Sequence, residues 1–281
     1  MLEGKKYPKF SVLMSVYRKE NPQYLDLALK SIEHQTVKPS EVVLVEDGPV
    51  TDDLQKIIKV HQKKFGVGFK IVTSKINQGL GYALRLGTEY VSTDWIARMD
   101  SDDYSIPDRF EKQLQLIVSN PRLAVVGGQI GEFSSNIHNI VGIRKVPTST
   151  DLICDFIKWR SPFNHPTVMI NKSKLLQVGG YIKYGKLEDY YLWARIISHG
   201  FEVANLSDFL LYMRVDNGMY KRRGSYENLR YIYKLRRYLY NCHLINKNEE
   251  ILGDIIMLAN LVVPSWIRKI LYHGILHKKG K

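Results

Sequence analysis

Along the first hundred positions apolar residues come in continuous runs rather than in strict alternation. FSVLMSV (10–16), EVVLVED (41–47), FKIVTS (69–74) and DWIARMD (94–100) are bounded by polar or turn-forming residues and are too short for helices, so they read as strands. Between them the period changes to that of a helix. PQYLDLALKSIEHQ (22–35) has apolar positions 24, 25, 28, 29 and 32, with Pro22 suited to a first turn behind Asn21. DDLQKIIKVHQKKF (52–65) follows Thr51, a capping residue type, and LGYALRLGTEYV (80–91) gives a third helix. Strands without a polar face, separated by helices, predict a parallel sheet covered on both sides, an α/β doubly wound half.

The second half is less regular. LAVVGGQI (123–130) and NIVGIRKV (139–146) are expected strands joined by a polar loop, 131–138. HPTVMI (165–170) reads as a short strand and LEDYYLWARIISHG (187–200) as a helix ended by Gly200. FEVANL (201–206) and FLLYMRV (209–215) read as two more strands, and from Tyr220 onward the pattern is helical. No internal repeat or low-complexity segment interrupts it.

Composition adds little until charge is placed. The 281 residues are 44% hydrophobic and 25% charged, ordinary values for a globular chain. Cys154 and Cys242 have neither metal-site spacing nor a disulfide framework, which suits a reducing compartment. MLEGKKYPKF has no apolar core, so no signal peptide is expected. IIMLANLVVPSWI (255–267), the longest uncharged apolar run, is too short and too broken by Pro264 for a membrane span. The net charge of +13 is concentrated: residues 221–281 carry thirteen Lys and Arg against four Asp and Glu, a net +9.

In open parallel sheets ligands bind beyond the carboxyl ends of the strands. Those ends are polar here. SVYRKE follows the first strand, EDGPVTDD the second, KINQGLGYA the third and Asp100-Ser101-Asp102-Asp103 the fourth. In the third, glycines open a helix whose N–H groups can meet an anion. NQGLG lacks the G-x-G-x-x-G spacing and no P-loop sequence occurs. Asp47 alone would be a turn residue, and the aspartate cluster alone would be an acidic cap on a helix beginning near Pro107. A calcium loop is excluded, because Ser105 stands where that loop needs glycine and Pro107 follows inside it. A divalent-ion site completed by substrate phosphates fits better.

The set SVYRKE, VVLVEDGPVTDD, NQGLGYALRLG, DSDD and LEDYYLWARI resembles, in order and spacing over about residues 8–215, the family 2 glycosyltransferases of GT-A fold. Among these it is most similar to non-processive enzymes that build bacterial capsule, exopolysaccharide or O-antigen units. The Q-x-x-R-W motif of processive members is absent. The resemblance implies a catalytic domain over 1–218, with a nucleotide-sugar half (8–127) and an acceptor half (128–218), followed by a basic amphipathic helical region, 219–281. It implies a nucleotide pocket shaped by Ser15, Val16, Tyr17 and Glu20, with Asp47 on the base or ribose and Asn77, Gly79 and Lys75 around it. Asp100 would contact the nucleoside, Asp102 would hold Mn²⁺ or Mg²⁺, and Ser101 and Asp103 would orient the site or the sugar. Glu188-Asp189 matches the acidic catalytic motif, with Asp189 as base and Glu188 as runner-up. Read without the family, both are first-turn helix carboxylates. His165 is either a phosphate or acceptor contact or a packed polar residue. Arg214 and Arg222, with Lys221 and Arg223, flank a loop that folds over a diphosphate or else form a solvated face.

The implied reaction is inverting transfer from a UDP-sugar to a saccharide, lipid-linked through polyprenyl diphosphate. SYENLRYIYKLRRYLYN (225–241) and LVVPSWIRKILYHGILHKKGK (261–281) mix aromatics with cations, as segments lying on an anionic membrane surface do. A peripheral position on the inner face of the cell membrane follows, with a helical cap on the catalytic domain as the alternative. Two other functions compete. A sugar nucleotidyltransferase would carry a glycine-rich loop after the first strand, and SVYRKE has no glycine. A nucleic-acid-binding protein would bring phosphates against three carboxylates at the cleft, so no nucleic-acid partner is expected.

Overall fold

The computed structural model describes residues 7–134, 136–215 and 229–262. The first half alternates as the apolar pattern requires: β1 (Phe10–Val16), α1 (Pro22–Glu33), β2 (Glu41–Glu46), α2 (Asp52–Phe65), β3 (Phe69–Thr73), α3 (Leu80–Tyr90) and β4 (Trp95–Arg98). Local chemistry sets the helix starts. Asn21 accepts a hydrogen bond from the Gln23 amide at 2.8 Å, with Pro22 in the first turn, and Thr51 caps α2. Gly87 lets α3 lie directly on the sheet, since a Cβ there would come within 2.4 Å of Leu13 and 2.7 Å of Val45.

These four strands are parallel, in the order β3-β2-β1-β4. β2 is buried along its whole length, because helices cover both faces. The expected doubly wound half is therefore present.

Beyond β4 come β5 (Tyr104–Ser105), α4 (Arg109–Ser119), β6 (Leu123–Phe133), β7 (Ile140–Arg144), α5 (Thr150–Phe156), β8 (Met169–Asn171), α6 (Lys172–Gln177), α7 (Glu188–Ser198) and β9 (Glu202–Arg214). The sheet continues β4-β8-β6-β9-β5, with β7 on β6, and here the pairing is mixed. β8 runs antiparallel to both β4 and β6, whereas β9 is parallel to β6.

Three expectations change. The two strands expected over 201–215 are one, β9, which bends past its polar middle through register shifts against β6. HPTVMI opens as a 3₁₀ turn, His165–Thr167, because Pro166 cannot donate a ladder hydrogen bond; only then does β8 begin. The short helices α5 and α6 were not anticipated.

Two further helices, α8 (Leu229–Asn241) and α9 (Lys247–Val262), close the described chain. α8 lays Leu235 and Leu239 into the core shared with α7. Tyr238 packs edge-on against Tyr191 and its hydroxyl lies 3.0 Å from the Ser198 hydroxyl. The alternative of a helical cap thus describes α8, whose apolar stripe is occupied by protein. No helix among the described residues is long and apolar enough to cross a membrane.

Candidate active site

β4 is buried throughout, and Met99 continues it inward before the chain turns out as Asp100-Ser101-Asp102-Asp103. The carboxylate oxygens that Asp100, Asp102 and Asp103 can offer lie within 4.8 Å of one another. The turn is braced from several sides. Arg98 donates to Asp100, and the Ser101 hydroxyl donates to Glu20 at 2.7 Å. Asp103 accepts the Arg214 amide at 2.9 Å, and the Arg214 guanidinium donates to the Asp102 carbonyl at 3.2 Å. That guanidinium is sandwiched over Tyr24 (3.7 Å) and Phe133 (4.5 Å). The triad is not the cap of α4, a place that Asp108 takes.

Crowding shows in the protonation of the triad. Burial, then the charges of Asp100 and Glu20, push Asp102 up to about 7. Asp103 is raised well above the carboxylate range by burial and by its two neighbours. Its Oδ2 is enclosed without a hydrogen-bond partner. Three carboxylates at this spacing, one with an unused oxygen, form an oxygen-only donor set that fits a hard divalent cation such as Mn²⁺ or Mg²⁺.

The other strand ends converge on the same edge. Ser15 and Val16 end β1, and Tyr17 and Glu20 follow in the loop to α1. After β2, Asp47 accepts the amides of Gln78 (2.8 Å) and Gly79 (2.9 Å), while Asn77 donates to its carbonyl at 3.1 Å. Asp47 thus clamps the loop that opens α3, and these two amides are not free for an anion. Gly48 (φ 82°) makes the close approach, since a Cβ there would sit 2.7 Å from the Asn77 nitrogen. Lys75 is exposed in the same loop.

Glu188 and Asp189 occupy the first turn of α7, behind Leu187, which makes no side-chain cap. Burial pushes Glu188 up to about 7, with Asp189 adding to it and Arg98 opposing it. The Glu188 Oε2 is enclosed without a hydrogen-bond partner. Below them Tyr181 and His165 share a hydrogen bond of 3.3 Å, and Trp193 meets the imidazole edge-on. His165 is buried, and burial and the Arg98 charge hold it neutral, so it is seen here as a packed polar residue. Arg222, with Lys221 and Arg223, lies outside the described residues, as does 263–281.

Sequence reasoning overlooked Arg98. It is enclosed at the end of β4, and its charge is felt at Asp100, Asp102, Asp103, Glu188, Tyr181 and His165 alike. The available signal was a lone cation inside the apolar WIARM, two residues before the acidic turn.

Residues 11–180 match the model of glycosyl transferase family 2, and the chain belongs to that family. It is 40% identical over 270 residues to an uncharacterised glycosyltransferase of Haemophilus influenzae, covering 96% of this chain and all of that one. It is 34% identical over 271 residues to the UDP-Gal:α-D-GlcNAc-diphosphoundecaprenol β-1,3-galactosyltransferase of Escherichia coli, covering 96% and 98% of the two chains. Among solved structures the mannosyltransferase PcManGT of Pyrobaculum calidifontis, in complex with GDP-Man and Mn²⁺, matches with a TM-score of 0.66 at 15% identity, over 99% of this chain and 77% of that one. The fold is therefore GT-A, and the chain is a glycosyltransferase.

Proposed function

We propose that the chain is an inverting, metal-dependent transferase that moves a sugar from a UDP-sugar to a hydroxyl of a lipid-linked saccharide during assembly of a bacterial surface polysaccharide. The observation that carries this reading is the placement of two carboxylate groups from separate segments around one site. Arg98 interacts electrostatically with Asp100 and Asp103 of the triad behind β4 and with Glu188 in the opening turn of α7.

In a single displacement the acceptor oxygen bonds to the anomeric carbon as the bond from that carbon to the diphosphate oxygen breaks. The diphosphate leaves with the electron pair, and the acceptor proton goes to a carboxylate. A cation held by Asp102 with Asp100 and Asp103 would supply Lewis-acid neutralisation of the leaving diphosphate. The base must lie across the sugar from that end, and so come from a separate chain segment, for which the acidic first turn of α7 is the candidate. We assign it to Asp189. The raised Glu188, with its unpartnered Oε2, favours a second reading in which Glu188 takes the proton.

Asp47, Asn77 and Gly79 close the nucleoside side, with Ser15, Val16, Tyr17, Glu20 and Lys75 along its rim. Support for a UDP donor and a diphosphate-linked acceptor comes from the Escherichia coli relative, and support for Mn²⁺ from the Pyrobaculum neighbour. α9 exposes Ile251, Leu252, Ile255 and Ile256 ahead of the cationic tail, which favours contact with an anionic membrane. Deleting residues 261–281 should lower sedimentation with anionic liposomes; unchanged binding would remove that part.

A thermal shift separates the transferase from its rivals. Stabilisation that needs both UDP and Mn²⁺ is expected, whereas a shift with an oligonucleotide alone would overturn the assignment.

A further inference from the structure

Arg98 is 2% exposed, and its Nε and Nη1 have no hydrogen-bond partner. Enclosing a guanidinium with two unbonded nitrogens is unfavourable, and a buried ion pair adds little stability over apolar residues of the same size. Packing alone does not account for an arginine here.

Its surroundings show a different use. The guanidinium bonds Asp100, and its charge also acts on Asp102, Asp103 and Glu188. Its backbone is fixed as well. Arg109 donates to the Arg98 carbonyl at 2.8 Å, and Gln113 holds Arg109 at 3.1 Å. Gln113 in turn donates to the carbonyls of Val126 (2.7 Å) and Thr167 (2.9 Å), tying β6 and the turn before β8 to the same point. The other arginines nearby are placed for other contacts: the Arg109 guanidinium bonds the Arg98 carbonyl and Gln113, and the Arg214 guanidinium bonds the Asp102 carbonyl rather than a triad carboxylate.

We propose that Arg98 is a positioning residue that acts through Asp100, holding the crowded aspartates at the spacing a divalent cation and diphosphate require. Mutual repulsion among three carboxylates would otherwise splay the turn, and a cation beneath it opposes that. The proposal rests on the reading of the triad as the cation-binding end.

The test is calorimetric titration of the full chain with UDP and Mn²⁺ for Arg98→Met, Arg98→Lys, Asp100→Asn and the Arg98→Met/Asp100→Asn double variant. Arg98→Met should weaken binding by about tenfold or more, which is 1.4 kcal/mol. Arg98→Lys should recover most of that loss. The double variant should bind no more weakly than Asp100→Asn alone, because Arg98 then has no carboxylate left to place. Without Mn²⁺, Arg98→Met should melt lower than the native chain, because the Asp100 carboxylate loses its partner, and the double variant should recover part of that loss. If Arg98→Met does not fold, Arg98→Lys carries the test, with a loss below about tenfold that vanishes beside Asp100→Asn. Unchanged affinity in Arg98→Met, or additive losses in the cycle, overturns the proposal. Unchanged affinity in Asp100→Asn instead removes the reading of the triad, and the proposal with it.

Discussion

The aspartates behind β4 are braced by Arg98, by the Ser101–Glu20 hydrogen bond and by Arg214, yet both they and Glu188 on the first turn of α7 keep an enclosed oxygen with no hydrogen bond, Oδ2 of Asp103 and Oε2 of Glu188. Burial raises Asp102 and Glu188 to the same value, about 7. The secondary causes differ. Neighbouring carboxylates add most to the rise at Asp102, and two charges 4.8 Å apart repel by about 3–4 kcal/mol at an effective dielectric constant near 20. A cation relieves that repulsion. At α7 fewer charges crowd the carboxylate, and a raised value suits a group that takes a proton near neutral pH. Under the proposed roles, equal protonation behaviour arises at a group that would bind charge and at a group that would move a proton.

The sharpest way to break this comparison is Asp189→Asn. Removing a general base typically lowers turnover by about 10²- to 10⁴-fold, while UDP binding should stay within about twofold. If Glu188→Gln alone has that effect, the base moves by one residue and the comparison survives with a new member.

Glu188 also makes a pH prediction. Its proton leaves near 4.5 in the unfolded chain and near 7 in the folded one, so between these values the folded state holds the extra proton. Its contribution is fully present below pH 4.5 and is lost as pH rises to about 7, a change on the order of 3 kcal/mol. Denaturant melts of the metal-free protein across that window should show a shallower decline for Glu188→Gln; parallel curves would contradict the assignment.

Ser101→Ala should have the smallest effect. It removes one brace from the turn and leaves Glu20 without that donor, so Mn²⁺-dependent UDP binding should weaken by roughly 1–2 kcal/mol in calorimetry. A loss as large as that of the aspartates themselves would mean that Ser101 touches ligand.

Most of the first half was readable from the chain, for physical reasons that can be named. β1 to β4 are apolar on both faces because helices cover both, and α2 runs over Asp52–Phe65 behind its Thr51 cap, as expected. The second half hid its order because β9 carries a polar stretch at Asn205–Asp208 that looks like a break. Only pairing with β6, through bulges, keeps it one strand. The site was legible where polar residues end strands. Arg98 escaped because it lies inside the strand, where the apolar pattern masks a single charge. His165 and Asp47 show the converse limit: sequence position marked both, and their contacts within the chain emerged only with the fold.

The most direct test of the account is calorimetric binding of UDP, with and without Mn²⁺, to the native chain, Asp102→Asn and Asp189→Asn side by side. The account predicts equal, Mn²⁺-dependent affinity for the native chain and Asp189→Asn, and a loss of about a hundredfold, 2.7 kcal/mol, for Asp102→Asn. Binding that ignores Mn²⁺, or that Asp102→Asn leaves intact while Asp189→Asn destroys it, would contradict the division of labour between the two carboxylate groups.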